Sequence, residues 1–379
     1  EERETKHLHL RQSLMRDELE KWIDSKSDWP VLTTSIAKKW LNDGDGLQDR
    51  GITRDLNWGI PVKKGEADWP DMEGKVFYVW FDAPIGYISS TKEWAEKNGK
   101  DWQPYWKDPK TKLIHFIGKD NIVFHSIIFP IILKAKGEYI LPDNVPANEF
   151  LNLEGEKIST SKNWAIWLHE YQKDFKDKQD SLRYYLCAIS PEKKDSDFTW
   201  KDFQNRNNNE LVAIFGNFVN RVVVLINKYW DGSVPARGII NEEDENLINE
   251  IIQYPKKIGK SIEKYKFREA MFELINLARL GNKYLADNEP WKQIKTNHKR
   301  AETILNICIQ MVFSLSVLSQ PFLPKTSKKL CKILNSDFSS WGCSSEINNI
   351  KENHQIGKPE HLFEIIDDEK INDEISKLN

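Results

Sequence analysis

The feature that most constrains the fold of this chain is a change in the spacing of its apolar residues. Before about residue 200, short apolar runs alternate with helical patterns, whereas from about Asp202 onward apolar residues recur every three or four positions. The first pattern is typical of an α/β layer with a parallel sheet, and the second of a bundle of amphipathic helices. With 379 residues, the chain is long enough for two or three domains.

The α/β part shows two candidate strands and two candidate helices. Apolar runs bounded by turn residues predict buried strands at 74–82 and 112–118. A helical pattern around Thr91–Lys97 lies between them, and a second helix is predicted over Ile122–Lys136, ending before Gly137. Only two or three strands can be identified, so the parallel sheet is predicted to be incomplete.

The helical part contains three apolar stripes at helical spacing. Their members are Leu211, Ile214, Phe215, Phe218, Val222, Leu225 and Tyr229; Phe267, Met271, Leu274 and Ala278; and Ile304, Ile307, Met311, Leu315 and Leu318. The most apolar stretch, Ile304–Leu323, contains Asn306 and Gln310, so a buried core helix is predicted there and not a membrane span. A last helix is predicted at Asp368–Leu378 in an otherwise polar tail.

Charge and cysteine content exclude several classes of protein. The net charge is −3, so any contact with nucleic acid must come from a local basic patch. The four cysteines are far apart and form no C-x-x-C pair, so no zinc site can be read from them. Scattered cysteines fit a reducing cytosol, and the charged run Glu1–His7 is no signal peptide. We therefore expect a cytoplasmic protein without a membrane partner.

The first motif that carries chemistry is Y-V-W-F-D-A-P-I-G-Y, from Tyr78 to Tyr87. A predicted strand enters a Pro-Ile-Gly turn that has aromatic residues on both sides. At the carboxyl end of a parallel strand such a turn faces the ligand crevice. Aromatic rings there suit a thioether or another apolar side chain. The alternative is a strand end whose aromatic residues belong to the core.

The second motif is G-K-D-N-I-V-F-H at 118–125, which follows the second predicted strand and opens a helix. Gly118 would let a ligand approach the backbone. Asp120 would accept hydrogen bonds from ribose hydroxyls, as acidic residues do in nucleotide sites. His125 lies more than one helical turn further along. The alternative is an aspartate that caps a helix and a histidine that belongs to the core.

The third motif is the short polar loop E-K-I-S-T-S-K at 156–162. Lysines and hydroxyls on a mobile loop suit an anionic ligand such as a triphosphate. The alternative is an ordinary solvated loop.

The fourth motif lies in the helical part. Asn217 and Arg221 are four residues apart and share one helical face, and Pro290-Trp291 follows another helix. An amide, a guanidinium and an indole can read and stack unpaired bases. The alternative is a solvated helix face and a tryptophan that closes the end of the bundle.

Taken together and in this order, the motifs resemble the methionyl-tRNA synthetases, a family of class I aminoacyl-tRNA synthetases. The run Trp80–Tyr87 is close to specific for that family, and Gly118-x-Asp120 with His125 matches a class I element. Lys157–Ser161 lies where the family has its KMSKS signature, and 46–59 resembles the end of the connective insertion. The resemblance covers nearly the whole chain.

The resemblance implies methionine, ATP with Mg²⁺ and tRNA-Met as substrates of a methionine–tRNA ligase. The residues implied to line the methionine pocket are Trp80, Ala83, Pro84, Tyr87 and His125, with the Tyr87 hydroxyl near the sulfur. Those implied to bind ATP are Gly118, Asp120 and Lys157, where Lys157 also stabilises the adenylation transition state. Those implied to recognise the CAU anticodon are Asn217, Arg221, Pro290 and Trp291.

The resemblance has two departures from the family pattern. Thr160 stands where the second lysine of the KMSKS signature is usual, and Lys162 is the candidate to replace it as a catalytic residue. None of the eight histidines forms an H-x-G-H. The sequence therefore predicts a part of the enzyme without the H-x-G-H half of its nucleotide fold, with zinc expected only upstream of Glu1. We expect no aminoacylation by this chain alone.

The resemblance also predicts a division into domains. The predicted segments are the remainder of the connective insertion at 1–60, the second half of the Rossmann-like catalytic domain at 61–153, the KMSKS-like loop and stem-contact region at 154–201, the anticodon-binding helix bundle at 202–350 and a tail at 351–379. Two alternatives remain: a tRNA-binding module without catalysis, and another class I synthetase. The Trp80–Tyr87 segment argues against the second alternative.

Overall fold

A computed structural model describes residues 4–378 of the chain. The outermost residues of the predicted segments 1–60 and 351–379 therefore lie outside the described part. The chain divides into two compact units, Glu1–Phe150 (unit 1) and Leu151–Asn379 (unit 2). The predicted boundaries after residues 60, 153, 201 and 350 stay predictions.

Unit 1 is built from short strands and helices of moderate length. Its strands are β1 His9–Leu10, β2 Arg50–Gly51, β3 Thr53–Arg54, β4 Lys63–Lys64, β5 Ala67–Asp68, β6 Val76–Phe77, β7 Ile117–Gly118 and β8 Ala147–Asn148. Its α-helices are α1 Arg16–Asp24, α2 Val31–Asn42, α3 Val79–Asp82, α4 Gly86–Lys97, α5 Gln103–Lys107 and α6 Phe129–Lys136. Single tighter turns of helix cover Gln12–Met15, Ala83–Ile85 and Lys119–Asn121.

The strand predicted at 112–118 belongs to a parallel pair, in agreement with the predicted α/β layer. Strand β7 pairs in parallel with β8, and an isolated bridge joins Ile114 to Asn144. The backbone amides of His115 and Ile117 donate across this pair, His115 to the Asn144 carbonyl at 3.1 Å. The run 113–118 is therefore extended along most of its predicted length.

The strand predicted at 74–82 is mostly wrong. Only Val76–Phe77 is a strand, antiparallel to β3, and Val79–Asp82 forms a helical turn. The amide of Phe81 donates back to the Tyr78 carbonyl at 2.8 Å and not to a neighbouring strand. A short run of apolar residues fits a buried strand and a helical turn equally well, so its composition could not decide between them.

The helices predicted in unit 1 are confirmed. The pattern around Thr91–Lys97 lies in α4, and the helix predicted over 122–136 is a continuous helical segment that widens to π geometry at Phe124–Ile128. It ends at Gly137, whose φ of 80° is the left-handed conformation that favours glycine at a helix end. Side chains of this segment, including Ile127 and Ile131, pack with α1 and α2 in one apolar core.

Unit 2 consists mainly of helices and has one small sheet within its first fifty residues. Its strands are β9 Leu151–Leu153, β10 Glu156–Lys157 and β11 Ser196–Phe198. Its α-helices are α7 Leu168–Asp174, α8 Gln179–Ala188, α9 Trp200–Arg206, α10 Asn217–Trp230, α11 Glu242–Ile251, α12 Tyr254–Glu263, α13 Phe267–Asn288, α14 Pro290–Thr296, α15 His298–Ser319, α16 Pro324–Leu334 and α17 Asp368–Ser376. Thr160–Lys162 and Trp341–Ser345 are short 3-10 turns, and Asn207–Gly216 is a π-helical segment that joins α9 to α10.

The predicted helix bundle is confirmed, and the apolar stripes face its core. In the first stripe Leu211, Phe215, Phe218 and Val222 are buried, whereas Tyr229 is about one-third exposed (36%). Members of the second and third stripes, on α13 and α15, belong to the same core. The helical spacing of the apolar residues therefore predicted which side of each helix is buried.

Helix α15 contains the most apolar stretch of the chain. Two helices of the described part, Trp200–Trp230 and His298–Ser319, are long and apolar enough to cross a membrane. In the second helix, 94% of the most apolar 18-residue stretch is buried inside the protein, as predicted for a core helix. Its buried amides are paired: Asn306 donates to the Pro235 carbonyl at 2.8 Å, and Gln310 donates to the Ile350 carbonyl at 2.6 Å.

The polar tail folds back onto the bundle. Ile356, Phe363 and Ile366 are buried, and Asn227 of α10 donates to the Gly357 carbonyl at 3.0 Å. The amide of Gly357 in turn donates to the carbonyl of Ile333 in α16 at 2.7 Å. The last predicted helix is present as α17, which ends at Ser376.

Candidate functional site

The first motif forms a sharp turn that leads into α4. Trp80 lies in the helical turn α3, Ala83 and Pro84 lie in the 3-10 turn that follows, and Tyr87 is the second residue of α4. Pro84 is buried, whereas Ala83 is exposed and Trp80 and Tyr87 are each 43% exposed. The turn therefore presents two large aromatic side chains that are still partly open to solvent.

A hydrogen bond joins the first motif to the second. The Tyr87 hydroxyl lies 2.9 Å from Nε2 of His125, and Nδ1 of His125 lies 2.8 Å from the Asn121 carbonyl. A carbonyl only accepts, so Nδ1 carries the proton of a neutral imidazole and Nε2 accepts from the Tyr87 hydroxyl. Burial lowers the pKa of His125, although the Asn121 carbonyl opposes this, and the neutral form is favoured. The two motifs thus meet at one fixed contact.

The rings of His115 and Phe129 lie beside this contact. Together with Tyr87 and His125 they form what we call the ring cluster. The His115 ring centroid lies 4.9 Å from that of His125 and 5.5 Å from that of Tyr87. His115 is buried, and burial, with a smaller effect of His125, lowers its pKa to about 4. Among residues 4–378, Nε2 of His115 has no hydrogen-bond partner. The neutral forms of His115 and His125 are therefore favoured in this ring cluster.

A second ring pair lies beside the ring cluster in sequence. Trp80 stacks on Phe124, the residue before His125, with ring centroids 4.7 Å apart and an interplanar angle of 19°. Sequence reasoning missed His115, Phe124 and Phe129 as members of this region. His115 stood in the predicted strand and Phe124 in the second motif, but no spacing rule links either to Tyr87.

Gly118 and Asp120 lie at the end of β7 and in the turn that follows it. A Cβ added to Gly118 would meet no atom within 4 Å, so the backbone is open on that side. Asp120 is exposed, and the turn has no side-chain cap. The alternative of a capping aspartate therefore does not hold at this position. The side chain of Lys119, which lies between Gly118 and Asp120, forms an ion pair with Glu149 at 2.5 Å.

The lysine and serine loop is a tight hairpin in unit 2. Lys157 lies in β10, which pairs with β9, and Ser159 pairs with Trp164 across the loop. Lys162 ends the 3-10 turn, and both lysines are exposed. The Trp164 indole donates to the Leu153 carbonyl at 2.9 Å and ties the base of the loop to the sheet. The loop therefore projects two cations from a fixed base.

The fourth motif is brought together on the bundle, in what we call the bundle-face cluster: Asn217, Arg221, Asn282 and Trp291. The Arg221 guanidinium lies over the Trp291 ring, 4.9 Å from its centroid. Asn217 donates to the side-chain oxygen of Asn282 at 3.4 Å, and Asn282 donates to the Ile214 carbonyl at 2.8 Å. Sequence reasoning missed Asn282, which lies 65 residues from Asn217.

The helices that carry this cluster approach each other closely. A Cβ on Gly281 of α13 would lie 2.4 Å from ring atoms of Phe218 in α10, so only glycine fits there. Pro290 is buried at the first position of α14, where a proline costs no backbone hydrogen bond. Glu289 before it takes the left-handed conformation with φ 41°, which makes the sharp turn from α13 into α14. This turn places Trp291 beside Arg221.

Among residues 4–378, no three His, Cys, Asp or Glu side chains are grouped so that they could hold a metal ion.

The comparisons with known proteins agree along the whole chain. The family described as tRNA synthetases class I (M) matches residues 1–223, and the anticodon binding domain of methionyl tRNA ligase matches residues 234–378. The methionine–tRNA ligases of Christiangramia forsetii and Flavobacterium johnsoniae are 60% and 56% identical over 99% of this chain. These alignments cover 55% and 56% of the two relatives, so the chain spans about half the length of the curated relatives it matches.

Solved structures show the same fold. The methionyl-tRNA synthetase of Mycobacterium tuberculosis in complex with methionyl-adenylate superposes with a TM-score of 0.80 over 94% of this chain and 68% of that one, at 22% identity. Together with the two family matches, this confirms a Rossmann-like class I fold and a helical anticodon-binding domain. On the family match over more than half of its length, the chain belongs to the class I tRNA synthetases of the methionine type.

Proposed function

We propose that this chain supplies the methionine pocket, the ribose and phosphate contacts and the anticodon reader of a cytoplasmic methionine–tRNA ligase. The reaction joins methionine to ATP as an adenylate, with Mg²⁺ accompanying the ATP, and transfers the methionyl group to tRNA-Met. The observation that carries the proposal is the hydrogen bond of 2.9 Å between Tyr87 and His125, which unites two separate family motifs in one site.

The ring cluster suits the methionine side chain for a physical reason. That side chain has no charge and no hydroxyl, so a pocket must recognise it by shape and by the affinity of sulfur for rings. One methylene more or less changes binding to an apolar pocket by roughly 1–3 kcal/mol. Rings fixed by a hydrogen bond, as Tyr87 and His125 are, hold a defined shape. We place Trp80, Ala83 and Pro84 around the same side chain.

For ATP, we place Gly118 and Asp120 at the ribose and Lys157 at the phosphates. The open backbone at Gly118 and the uncapped carboxylate of Asp120 support this assignment. In adenylation the amino-acid carboxylate attacks the α-phosphate and pyrophosphate leaves. The protein contributes mainly by positioning and by neutralising charge. Exposed lysines on the loop at 156–162 suit the departing pyrophosphate.

The bundle-face cluster favours recognition of the CAU anticodon by Asn217, Arg221, Pro290 and Trp291. The indole offers a stacking surface and the guanidinium above it offers donors to a base edge. This cluster also supports the second candidate function, a tRNA-binding module that performs no catalysis in this chain alone.

Methionine binding by the 379-residue chain tests the first proposal. The chain should bind methionine more tightly than norleucine in calorimetry, and the imidazole nitrogen signals of His125 should shift in NMR as methionine is added. If the His125 signals stay in place at saturating methionine, the pocket is assigned wrongly.

Filter binding tests the anticodon assignment separately. A tRNA with a CAU anticodon should bind better than the same tRNA with a changed anticodon.

Methionine-dependent exchange of ATP with pyrophosphate should be absent for the chain alone. Exchange together with CAU preference would exclude the module without catalysis.

Lys162 is proposed as the second cation of the loop, because Thr160 cannot supply one. In an enzyme that also carries an H-x-G-H, Lys162→Ala should slow adenylation more than it weakens methionine binding. Single-turnover kinetics and methionine titration separate the two effects. Unchanged adenylation kinetics would remove Lys162 from the phosphate site.

A further inference from the structure

We propose that a row of lysines on α16 binds the phosphate backbone of the tRNA, at a place on unit 2 separate from the bundle-face cluster. The row, called here the lysine stripe, consists of Lys325, Lys328, Lys329 and Lys332. The proposal rests on the proposed function, because it takes tRNA as the partner of unit 2.

The lysine stripe occupies one face of its helix. The other three lysines follow Lys325 by three, four and seven residues, which is the spacing of a single helical face. The opposite face packs into the bundle through the buried residues Thr326, Ser327, Leu330, Ile333 and Leu334. The helix itself contains no acidic residue. At 1.5 Å per residue the stripe extends for about 10 Å, which makes it a line of charge and not a single site.

Much of the charge of the stripe is uncompensated. Lys328 is exposed and has no hydrogen-bond or ion-pair partner within residues 4–378, and Lys329 donates to the carbonyl of His361 at 2.6 Å, which is a neutral acceptor. Lys325 lies 3.7 Å from Asp177, and Lys332 lies 3.4 Å from Glu360. These pairs are solvent-exposed, and such pairs contribute only about 0–1 kcal/mol. They can therefore be exchanged for phosphates at little cost.

The surface beside the stripe is polar. An open groove of about 650 Å³ runs along it, and Asn335 and Ser336 add hydrogen-bonding groups to its wall. Two carboxylates, Asp337 and Glu360, also line the groove, so the four lysines remain in excess. An excess of cations with polar neighbours suits a partner with repeated negative charges. Double-stranded nucleic acid carries such a charge roughly every 2 Å of its axis.

The helix that carries the stripe is held rigidly. The carboxylate of Asp180 in α8 accepts hydrogen bonds from both the amide and the hydroxyl of Thr326, at 2.6 and 2.7 Å. Arg183, also on α8 and exposed, donates to the carbonyls of Phe322 and Pro321 just before α16. Arg183 therefore adds a fifth cation near the first turn of the helix. Because the helix backbone is already fixed, only the lysine side chains lose conformational entropy when the stripe binds.

One RNA molecule can contact both places on unit 2. Helix α15 connects them: Arg300 near its start bonds to Asn288, next to α14, and Ser327 of α16 donates to the Ser316 carbonyl near its end. The sixteen residues between Arg300 and Ser316 correspond to about 24 Å. A folded tRNA is longer than this distance. An anticodon held at Trp291 therefore leaves other phosphates of the same molecule free to contact the stripe.

Salt-dependent binding of tRNA to the full 379-residue chain tests the proposal. A lysine that contacts a phosphate releases a counterion. Each such contact makes the slope of log affinity against log salt more negative by roughly 0.7–0.9. The double variant Lys328→Ala/Lys332→Ala should therefore reduce the magnitude of that slope by roughly 1.5 and weaken binding at about 50 mM salt roughly tenfold. Both sites are exposed and alanine favours helix, so the fold should be retained. Circular dichroism and the melting temperature check this.

A matched control is available on α12. Lys256 and Lys260 are exposed, are spaced like Lys328 and Lys332, and belong to the same unit. Lys256→Ala/Lys260→Ala removes the same charge and should leave the salt slope close to that of the unaltered chain. Lys328→Arg/Lys332→Arg should restore it. Equal slopes for the two alanine pairs would overturn the proposal.

The outcome is separable from that of the proposed function. If the lysine stripe binds phosphates, its alanine variant weakens the binding of tRNA with a CAU anticodon and of tRNA with a changed anticodon by the same factor. A retained CAU preference with an unchanged salt slope rejects the stripe and leaves the anticodon reader intact. If the chain shows no preference for a CAU anticodon but the stripe variant has a reduced salt slope, the anticodon reader is rejected and the lysine stripe is supported.

Discussion

In unit 1 two candidate binding side chains share a hydrogen bond beside a buried histidine, whereas in unit 2 they lie on the outer face of helices that enclose the main apolar core. Tyr87 and His125 depend on a shared hydrogen bond and on the buried His115 beside them. Asn217 and Arg221 project from α10, whose other side is buried along most of its length. A site built in the first way should respond to the protonation of its own side chains. A site built in the second way should respond mainly to the packing of its helices.

The largest effect is expected where two helices of unit 2 touch. Gly281→Val would place new atoms inside the Phe218 ring, which is itself fully buried. Overpacking usually costs about 1–3 kcal/mol in the free energy of unfolding, and a clash with a fully buried ring should lie at or above the upper end of that range. Urea denaturation of unit 2 measures the loss. As a control, Gly259→Ala in α12 meets its nearest atom at 3.4 Å and should be neutral or slightly stabilising. A variant Gly281→Val as stable as the unaltered chain would refute the dependence on helix packing.

The corresponding test in unit 1 uses pH. The pKa of His115 is about 4 in the folded protein and about 6.5 in the unfolded chain, so the unfolded chain takes up the proton first as pH falls. The free energy of unfolding should therefore fall between about pH 6.5 and pH 4, by on the order of 3 kcal/mol from this residue. His115→Phe keeps a ring of similar size and removes this dependence. Denaturation at several pH values compares the two proteins, and parallel curves would contradict the prediction.

Removal of the indole of the bundle-face cluster should weaken anticodon recognition without unfolding the bundle. Stacking of a base on an aromatic side chain contributes about 1–3 kcal/mol, so Trp291→Ala should reduce the preference for a CAU anticodon roughly tenfold. Filter binding with matched tRNAs measures the preference. Trp58→Ala, at a tryptophan of unit 1 that is 88% exposed, is the control and should leave it unchanged. An undiminished preference in Trp291→Ala would show that the base stacks elsewhere.

The smallest effect concerns a single hydroxyl of the ring cluster. Tyr87→Phe removes the donor to His125, and one such hydrogen bond contributes about 1 kcal/mol. Methionine should bind roughly fivefold more weakly in calorimetry, while the fold is retained. Tyr105→Phe removes a tyrosine hydroxyl from a half-exposed ring of the same unit and serves as the control. If both variants bind methionine equally well, the hydroxyl does not fix the pocket.

The helical bundle could be predicted closely because its signal is repeated many times. The stripe from Leu211 to Val222 and the long apolar run in α15 each supply several residues that agree on one buried side. The strands of unit 1 supply only two residues each, and a run such as Val79–Asp82 fits a helical turn equally well. The length of the regular element therefore decided how well its type could be predicted.

The candidate sites show a similar limit. The motifs of Tyr87, His125, Arg221 and Trp291 were visible in the sequence, and the structure brings each to its partner. His115 and Asn282 were not visible as members of these clusters, because their relation to Tyr87 and Asn217 exists only in three dimensions. A burial argument can identify such residues, but burial depends on packing that no local spacing encodes.

The tail that packs on the bundle has a consequence for the order of events during synthesis. The side chains of Asn207 and Asn208 donate to the carbonyls of Glu364 and Ile366, and Gln204 also donates to Ile366. These three polar groups lie in the helix that begins the bundle, yet their partners are translated about 160 residues later. A nascent chain can assemble the central helices early. Its first long helix, however, lacks the partners of these three side chains until Ile366 has been translated, so this side of the bundle closes only after that point.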